Sequence, residues 1–157
     1  MPHNGTMKLR KFRPEDTDEI IKLHRMALLK VNVYRGEGVW EKDLFNINEV
    51  YLNNKGEFIV GVENGVIMAM GAFKKINGST AEITSMRVRP DFQGKGAGKK
   101  ILQYLEERAR SMGYKTLILE TDGKLTTAIK LYEKSGFTYT GNELIDGFNC
   151  LWYKKEL

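Results

Sequence analysis

The stretch Met86-Arg87-Val88-Arg89-Pro90-Asp91-Phe92-Gln93-Gly94-Lys95-Gly96-Ala97-Gly98 passes from an alternating apolar segment into glycines at every second position. The part before Pro90 predicts the end of a strand over residues 81–88, and residues 90–98 read as a glycine-rich loop. A helix is predicted from residue 99 to 112, because Ile101, Leu102, Leu105, Ala109 and Met112 fall on one side and Gly113 supplies a stop. Alternating glycines let a backbone approach a ligand with no side chain between them. The helix that follows presents unpaired N–H groups and the positive end of its dipole, an arrangement suited to a pyrophosphate. Two nucleotide motifs fail on counting. A P-loop needs a glycine where this chain has Gln93 and a Ser or Thr where it has Lys100, and a dinucleotide fingerprint begun at Gly94 needs a glycine at Lys99.

The flanking sequence predicts one mixed domain. Residues 58–62 and 66–73 are strand-like and joined by Asn64-Gly65, a pair suited to a type I′ hairpin turn. Residues 8–12 read as a first strand. Pro14 and Asp16 open a helix, with Asp16 and Glu19 in capping-box spacing and Ile20, Leu23, Ala27, Leu28 and Val31 on its core face. Residues 34–39 form a loop, and residues 41–52 predict a second helix. Beyond Gly113 come a strand over 116–120, a helix over 126–135 ended by Gly136, and two closing strands over 137–140 and 148–153. This order gives an α/β (α+β) fold in a single domain, residues 1–157, with a central mixed, mostly antiparallel sheet flanked by helices.

Composition narrows the function classes. The chain of 157 residues is 41% hydrophobic and 29% charged, which fits a globular domain rather than a disordered or membrane-spanning chain. No apolar run approaches the ~20 residues of a spanning helix, and the first ten residues hold no apolar signal-peptide core. Cys150 is the only cysteine, so an intrachain disulfide is excluded and a reducing cytoplasm is the expected compartment. The net charge of +5 spreads over 25 basic and 20 acidic residues. The densest basic group, Lys95, Lys99 and Lys100, sits in the glycine-rich segment, which favours a phosphate ligand over a nucleic-acid face. His3 and His24 stand far apart and no acid or cysteine joins them at metal spacing, so no metal is expected.

The stretch from Met86 to Gly98 resembles the strand and Q/R-x-x-G-x-G/A loop of the GNAT superfamily of acyl-CoA-dependent N-acetyltransferases. Ala128-Ile129-Lys130-Leu131-Tyr132-Glu133-Lys134-Ser135-Gly136-Phe137 resembles that family's later helix, with its Leu-Tyr pair and Gly-Phe ending. The resemblance implies acetyl-CoA as co-substrate. It places the pyrophosphate on Gln93, Gly94, Gly96, Ala97 and Gly98, with Lys95 and Lys99 adding charge, and the pantetheine arm along the backbone of Met86, Arg87 and Val88. Leu125 departs from the Asn or Gln common in the family three residues before the alanine, which removes a side-chain contact to the cofactor. The implied partner is a small-molecule or peptide amine, with homodimers among the family's assemblies and neither a membrane nor a nucleic acid expected.

Acetyl transfer from a thioester to an amine needs a base, because an ammonium of pKa ~10.4 has no lone pair. It also needs a donor for the oxyanion and benefits from an acid for the departing thiolate. Glu82, eleven residues before Gln93, matches the base position of the family's histone-acetylating branch. Strand alternation puts it on a face with Thr84, Met86 and Val88, an apolar setting that would raise its pKa. Tyr132 matches the family tyrosine near the sulfur of CoA and is the candidate acid. Its place at i+4 from Ala128 also suits simple core packing. A backbone N–H near Met86 or Arg87 is the expected oxyanion donor. The segment 34–43 combines the aromatic faces of Tyr34 and Trp40 with the carboxylates of Glu37, Glu41 and Asp43, and Tyr34, Trp40 and Glu41 are the candidates for holding a cationic acceptor. A non-catalytic module that senses CoA or binds a partner is the alternative, and the presence of both Glu82 and Tyr132 speaks against it.

Overall fold

The computed structural model describes residues 6–36 and 41–157. In chain order they form β1 (Lys8–Lys11), α1 (Thr17–Lys30), α2 (Ile47–Val50), β2 (Glu57–Glu63), β3 (Val66–Lys75), β4 (Thr80–Val88), α3 (Ala97–Ser111), β5 (Thr116–Asp122), α4 (Thr126–Lys134), β6 (Thr138–Ile145) and β7 (Phe148–Glu156). The seven strands make one sheet in the order β1-β2-β3-β4-β5-β7-β6. Only β4 and β5 pair in parallel, with α3 as the crossover between them. The α+β class and the mostly antiparallel sheet expected from the sequence are both present.

Local chemistry explains most elements. Asn64 and Gly65 have φ of 53° and 76°, the two left-handed residues of a type I′ turn, and Glu63 pairs with Val66 across it. A second such turn, Asp146-Gly147 with φ of 50° and 83°, closes β6 onto β7. Both strands therefore run longer than predicted, and the Asp-Gly pair that announces this turn stood unread in the sequence. Asp16 stands at the N-cap of α1, but its side chain makes no capping bond to the helix. Its carboxylate accepts the Arg13 N–H at 2.8 Å and binds the Arg10 guanidinium at 2.7 and 2.9 Å. Glu19 reaches instead to the Ile67 N–H in the hairpin, fixing α1 to the sheet.

The second helix predicted over residues 41–52 is broken. A 3₁₀ turn (Lys42–Phe45), the single turn of α2 and another 3₁₀ turn (Leu52–Asn54) replace it. Asn46, at φ −138°, donates its side-chain amide to the Lys42 carbonyl at 3.1 Å, one of the local bonds by which Asn competes with a helix. Across the breaks Leu44, Ile47 and Tyr51 still face inward, against Phe58, Val60, Met70 and Ala72, the sheet face that α1 also covers with Ile20 and Leu23. The opposite face carries Ile59, Phe73, Ala81, Leu117 and Leu119 beneath Ile101, Leu102, Leu105 and Ala109 of α3. A Cβ on Gly71 would lie 2.6 Å from the Ile101 side chain, so this glycine lets α3 settle directly on the sheet.

Candidate active site

The site follows from an irregularity in β4. Met70 pairs with Arg87 and Ala72 with Thr84, so two steps along β3 match three along β4. The extra residue is a β-bulge, and Ser85 within it has φ 55°, a left-handed conformation costing a non-glycine residue about 1–2 kcal/mol. Pairing with β5 stops at Ile83–Leu119. Beyond it β5 stays with β7 through Asp122, while residues 84–88 of β4 have no partner in β5. Two adjoining cavities open along this parting of the strands, sharing Met86, Arg87, Leu125 and Tyr132 in their walls.

The bulge corrects the predicted face of β4. Glu82 and Thr84 point toward the α1 side, where the Thr84 hydroxyl lies 2.8 Å from the Tyr51 hydroxyl. The added residue then reverses the alternation, so Met86 and Val88 pack with Ile83 in the α3-side core. Glu82 therefore shares a face with neither. Arg87 turns toward the acids instead.

The smaller cavity, about 280 Å³, is bounded by Val88, Gln93, Gly94, Gly96–Gly98 and Lys99 on one side and by the start of α4 on the other. Gly94 and Gly96 adopt φ of 79° and 80°, and a Cβ on either would meet open space. The loop thus bares backbone toward a ligand, with Gly96 immediately before α3. The lysines divide. Lys99 and Lys124 line the cavity, Lys95 lies over the Phe92 ring at 5.1 Å and borders a separate hollow, and Lys100 donates to the Met7 carbonyl. Lys95 is accordingly displaced from the predicted group, and Lys124, absent from it, joins.

The larger cavity, about 390 Å³, holds Glu82 together with Asp43, Glu120, Asp122, Lys74 and Arg87. Its wall is polar and acidic, not the apolar face expected around Glu82. Burial pushes the Glu82 carboxyl above its ordinary pKa; the charges of Glu120 and Asp43 add to this, and Lys74, its cross-strand neighbour, opposes it. Asp43 accepts the Tyr51 hydroxyl, while Glu120 and the Cys150 sulfur receive the Arg35 guanidinium at 3.2 and 2.9 Å. Burial lifts the Cys150 thiol to about 11, which keeps it protonated and unreactive. Tyr132 sits where the cavities meet, edge-on to Phe137 with centroids 5.9 Å apart, so it both packs and faces the cleft. Burial raises its hydroxyl to about 12, and the Arg87 charge acts the other way.

The three acceptor candidates separate. Trp40 lies outside the described residues. Tyr34 borders the larger cavity. Glu41 does not border it. It is 1% exposed and engaged by Arg25 at 2.6 Å, the Tyr34 hydroxyl at 3.2 Å and His24 Nε2 at 3.6 Å. These contacts tie Glu41 and Tyr34 to Arg25 and His24 of α1. Asp43, named in the sequence only as one acid of the segment 34–43, does line the larger cavity, whereas Glu120 and the Arg87 side chain were missed, and no spacing in the chain links these three.

With this geometry, the profile of the acetyltransferase (GNAT) family matches residues 19–137. The uncharacterized N-acetyltransferase YjgM of Escherichia coli K12 is 29% identical over 136 residues, covering 83% of this chain and 81% of that one. Against three further relatives, 30–38% identical, the chain spans 31–56% of their length. A GNAT-family acetyltransferase structure from Staphylococcus aureus Mu50 superposes with a TM-score of 0.88 at 18% identity, over 96% of this chain and 99% of that one. YncA of Salmonella typhimurium, solved with its cofactor acetyl-CoA, superposes with a TM-score of 0.78 at 22% identity, over 96% and 93% of the two chains.

Proposed function

The chain belongs to the acetyltransferase (GNAT) family and is an acyl-CoA-dependent acetyltransferase; on that premise we propose that it acetylates a primary amine by direct transfer, as one domain, in the larger cavity. The observation that carries this is the parting of β4 from β5, which joins a glycine-loop cavity to an acid-bearing one at Tyr132. The residues present suit acetyl-CoA: backbone N–H groups at Gly94–Gly98 and Lys99 for the pyrophosphate, and the unpaired edge of residues 86–88 for the pantetheine arm. When bound there, acetyl-CoA supplies the acyl group as an activated thioester.

The chain's own groups handle the protons. An amine arriving as R–NH₃⁺ loses two of its protons as the C–N bond forms and the C–S bond breaks. Glu82 accepts one, directly or through a water, and passes it to solvent. Its raised pKa brings it closer to that of the amine it must deprotonate. Tyr132 donates its proton to the departing sulfur and regains the amine's second one. Its raised pKa holds it protonated until then. Backbone N–H groups of the unpaired β4 edge stabilise the carbonyl oxygen.

Two measurements test this reading: calorimetric titration with acetyl-CoA, and thiol release across a library of amines. Binding followed by amine-dependent thiol release is expected. No binding, or binding with no release for any amine, overturns it.

A further inference from the structure

Arg87 is a charged side chain in the larger cavity whose chemistry the transfer reaction leaves unused. Among the described residues its hydrogen bond is from Nη1 to the Met86 carbonyl at 2.8 Å, which leaves the rest of the guanidinium for other use. Nε is buried with no partner. The side chain borders both cavities beside Tyr132. His24 lines the same cavity, 5% exposed, and its Nδ1 is also buried and unpartnered. Burial, then the Arg87 charge, push His24 down to about 3, so it is neutral and does not neutralise a ligand's charge. Buried polar groups are almost always paired, and a charged donor left over in a cavity wall is matched to something that enters.

The same wall holds the opposite chemistry. Asp43 and Glu120 line the same cavity and act electrostatically on both Glu82 and Arg87. Glu120 is paired with Arg35, and Asp43 accepts only the neutral Tyr51 hydroxyl among the described residues, so negative charge remains beside Arg87. A simple cationic amine would use the acids, yet it would leave Arg87 Nε unsatisfied and set two positive charges near each other. A molecule carrying an ammonium and a carboxylate a few bonds apart uses both. The volume of about 390 Å³ lies in the range of small-molecule pockets.

Resting on the acetyltransferase reading above, we infer that the acceptor is a free amino acid, its carboxylate held by the Arg87 guanidinium and its ammonium by Asp43 and the acids beside it. Arg87 is then the specificity-determining residue. Planar N–H donors suit a carboxylate, and Lys in its place would offer only a point charge. The product is the N-acetylated amino acid, with CoA thiol and a proton released.

The test uses the full chain, acetyl-CoA and thiol release, with acceptors in matched threes: an L-amino acid, its amide and its decarboxylated amine. The amide also stands for a peptide N-terminus. For the best side chain, kcat/KM should favour the acid over both analogues by at least about tenfold, in line with a lost charged hydrogen bond. In Arg87→Met that ratio should collapse toward one, and in Arg87→Lys it should recover in part. Wild-type turnover without a preference for the acid overturns the inference and leaves the acetyltransferase reading standing. Equal loss on all three acceptors in Arg87→Met, with acetyl-CoA binding retained, assigns Arg87 to the transferred carbonyl and also overturns it. No turnover of any amine by the wild type overturns both readings.

Discussion

Apart from Ala27 and Leu28 of α1 and Val31 just after it, the smaller cavity takes its wall from two stretches, residues 86–99 and 124–132. The larger one gathers α1, residues 33–36, Asp43, Tyr51, Lys74 and the facing edges of β4 and β5, separated by up to a hundred positions in the chain. The first is a turn made of glycines before a helix, which any chain with that local sequence can form. The second exists because a bulge at Ser85 parts two strands and a broken helix delivers Asp43 and Tyr51 into the gap. Binding of a cofactor common to many enzymes can rest on local backbone. Selection of one acceptor needs side chains from distant places, and these can change without disturbing the loop.

If that division is real, changes in one cavity should leave the other's ligand alone. The largest effect is expected from Glu82→Gln. It should lower kcat/KM by roughly a hundredfold or more, the range of general acid–base catalysis, with acetyl-CoA affinity unchanged by calorimetry. The wild-type rate should also fall as pH drops through the Glu82 pKa, at a pH above the ordinary carboxylate range, because only the ionised form is a base. This limb should vanish in the variant. A weakened acetyl-CoA affinity in Glu82→Gln would show the cavities to be coupled.

Gly96→Val comes next. A β-branched residue at φ 80° is strained, and its side chain points into the open space of the loop cavity. Acetyl-CoA affinity should fall about tenfold or more, while amine KM at saturating acetyl-CoA stays within about threefold. Unchanged affinity in a folded variant would move the pyrophosphate elsewhere. Tyr132→Phe, at the junction, should lower kcat about tenfold with little change in either affinity, since it removes a proton donor and keeps the ring on Phe137.

The smallest effect belongs to Glu41→Gln, which should act on stability. Arg25 and the Tyr34 hydroxyl hold the Glu41 carboxyl below its usual pKa of 4.5. Its stabilising contribution is therefore complete above that pH and lost as pH falls through the lower folded-state value. The variant should be less stable by about 1 kcal/mol at neutral pH, with Arg25 partly exposed and screened. The difference in Tm should close at acid pH. A large rise in amine KM without loss of stability would return Glu41 to the acceptor site.

The chemistry legible in the chain was that of its local signals. Asn64-Gly65 gave the hairpin, the spacing of Ile101, Leu102, Leu105 and Ala109 gave α3, and Gly94 to Gly98 gave the loop, because each conformation depends on neighbours within a few residues. Asp146-Gly147 carried the same kind of signal and would have extended β6 and β7. The long second helix failed at Asn46: Leu44, Ile47 and Tyr51 have the spacing of a single helix face and are all buried, but Asn46 leaves helical φ and bonds back to the Lys42 carbonyl, a local competition that the apolar spacing does not reveal.

By itself, then, the sequence determined the order of the strands and main helices and the glycine loop, and it put Glu82 and Tyr132 forward as the groups proposed to move protons. Tertiary structure decided which way β4 faces, since one extra residue reverses every side chain after it. It also decided that Glu41 is sealed beneath Arg25 while Asp43, two positions on, reaches the cavity. Arg87 drew notice in the sequence only for its backbone. A buried guanidinium Nε without a partner is a property of the space around it, and that space forms only when β4, α1 and β5 come together.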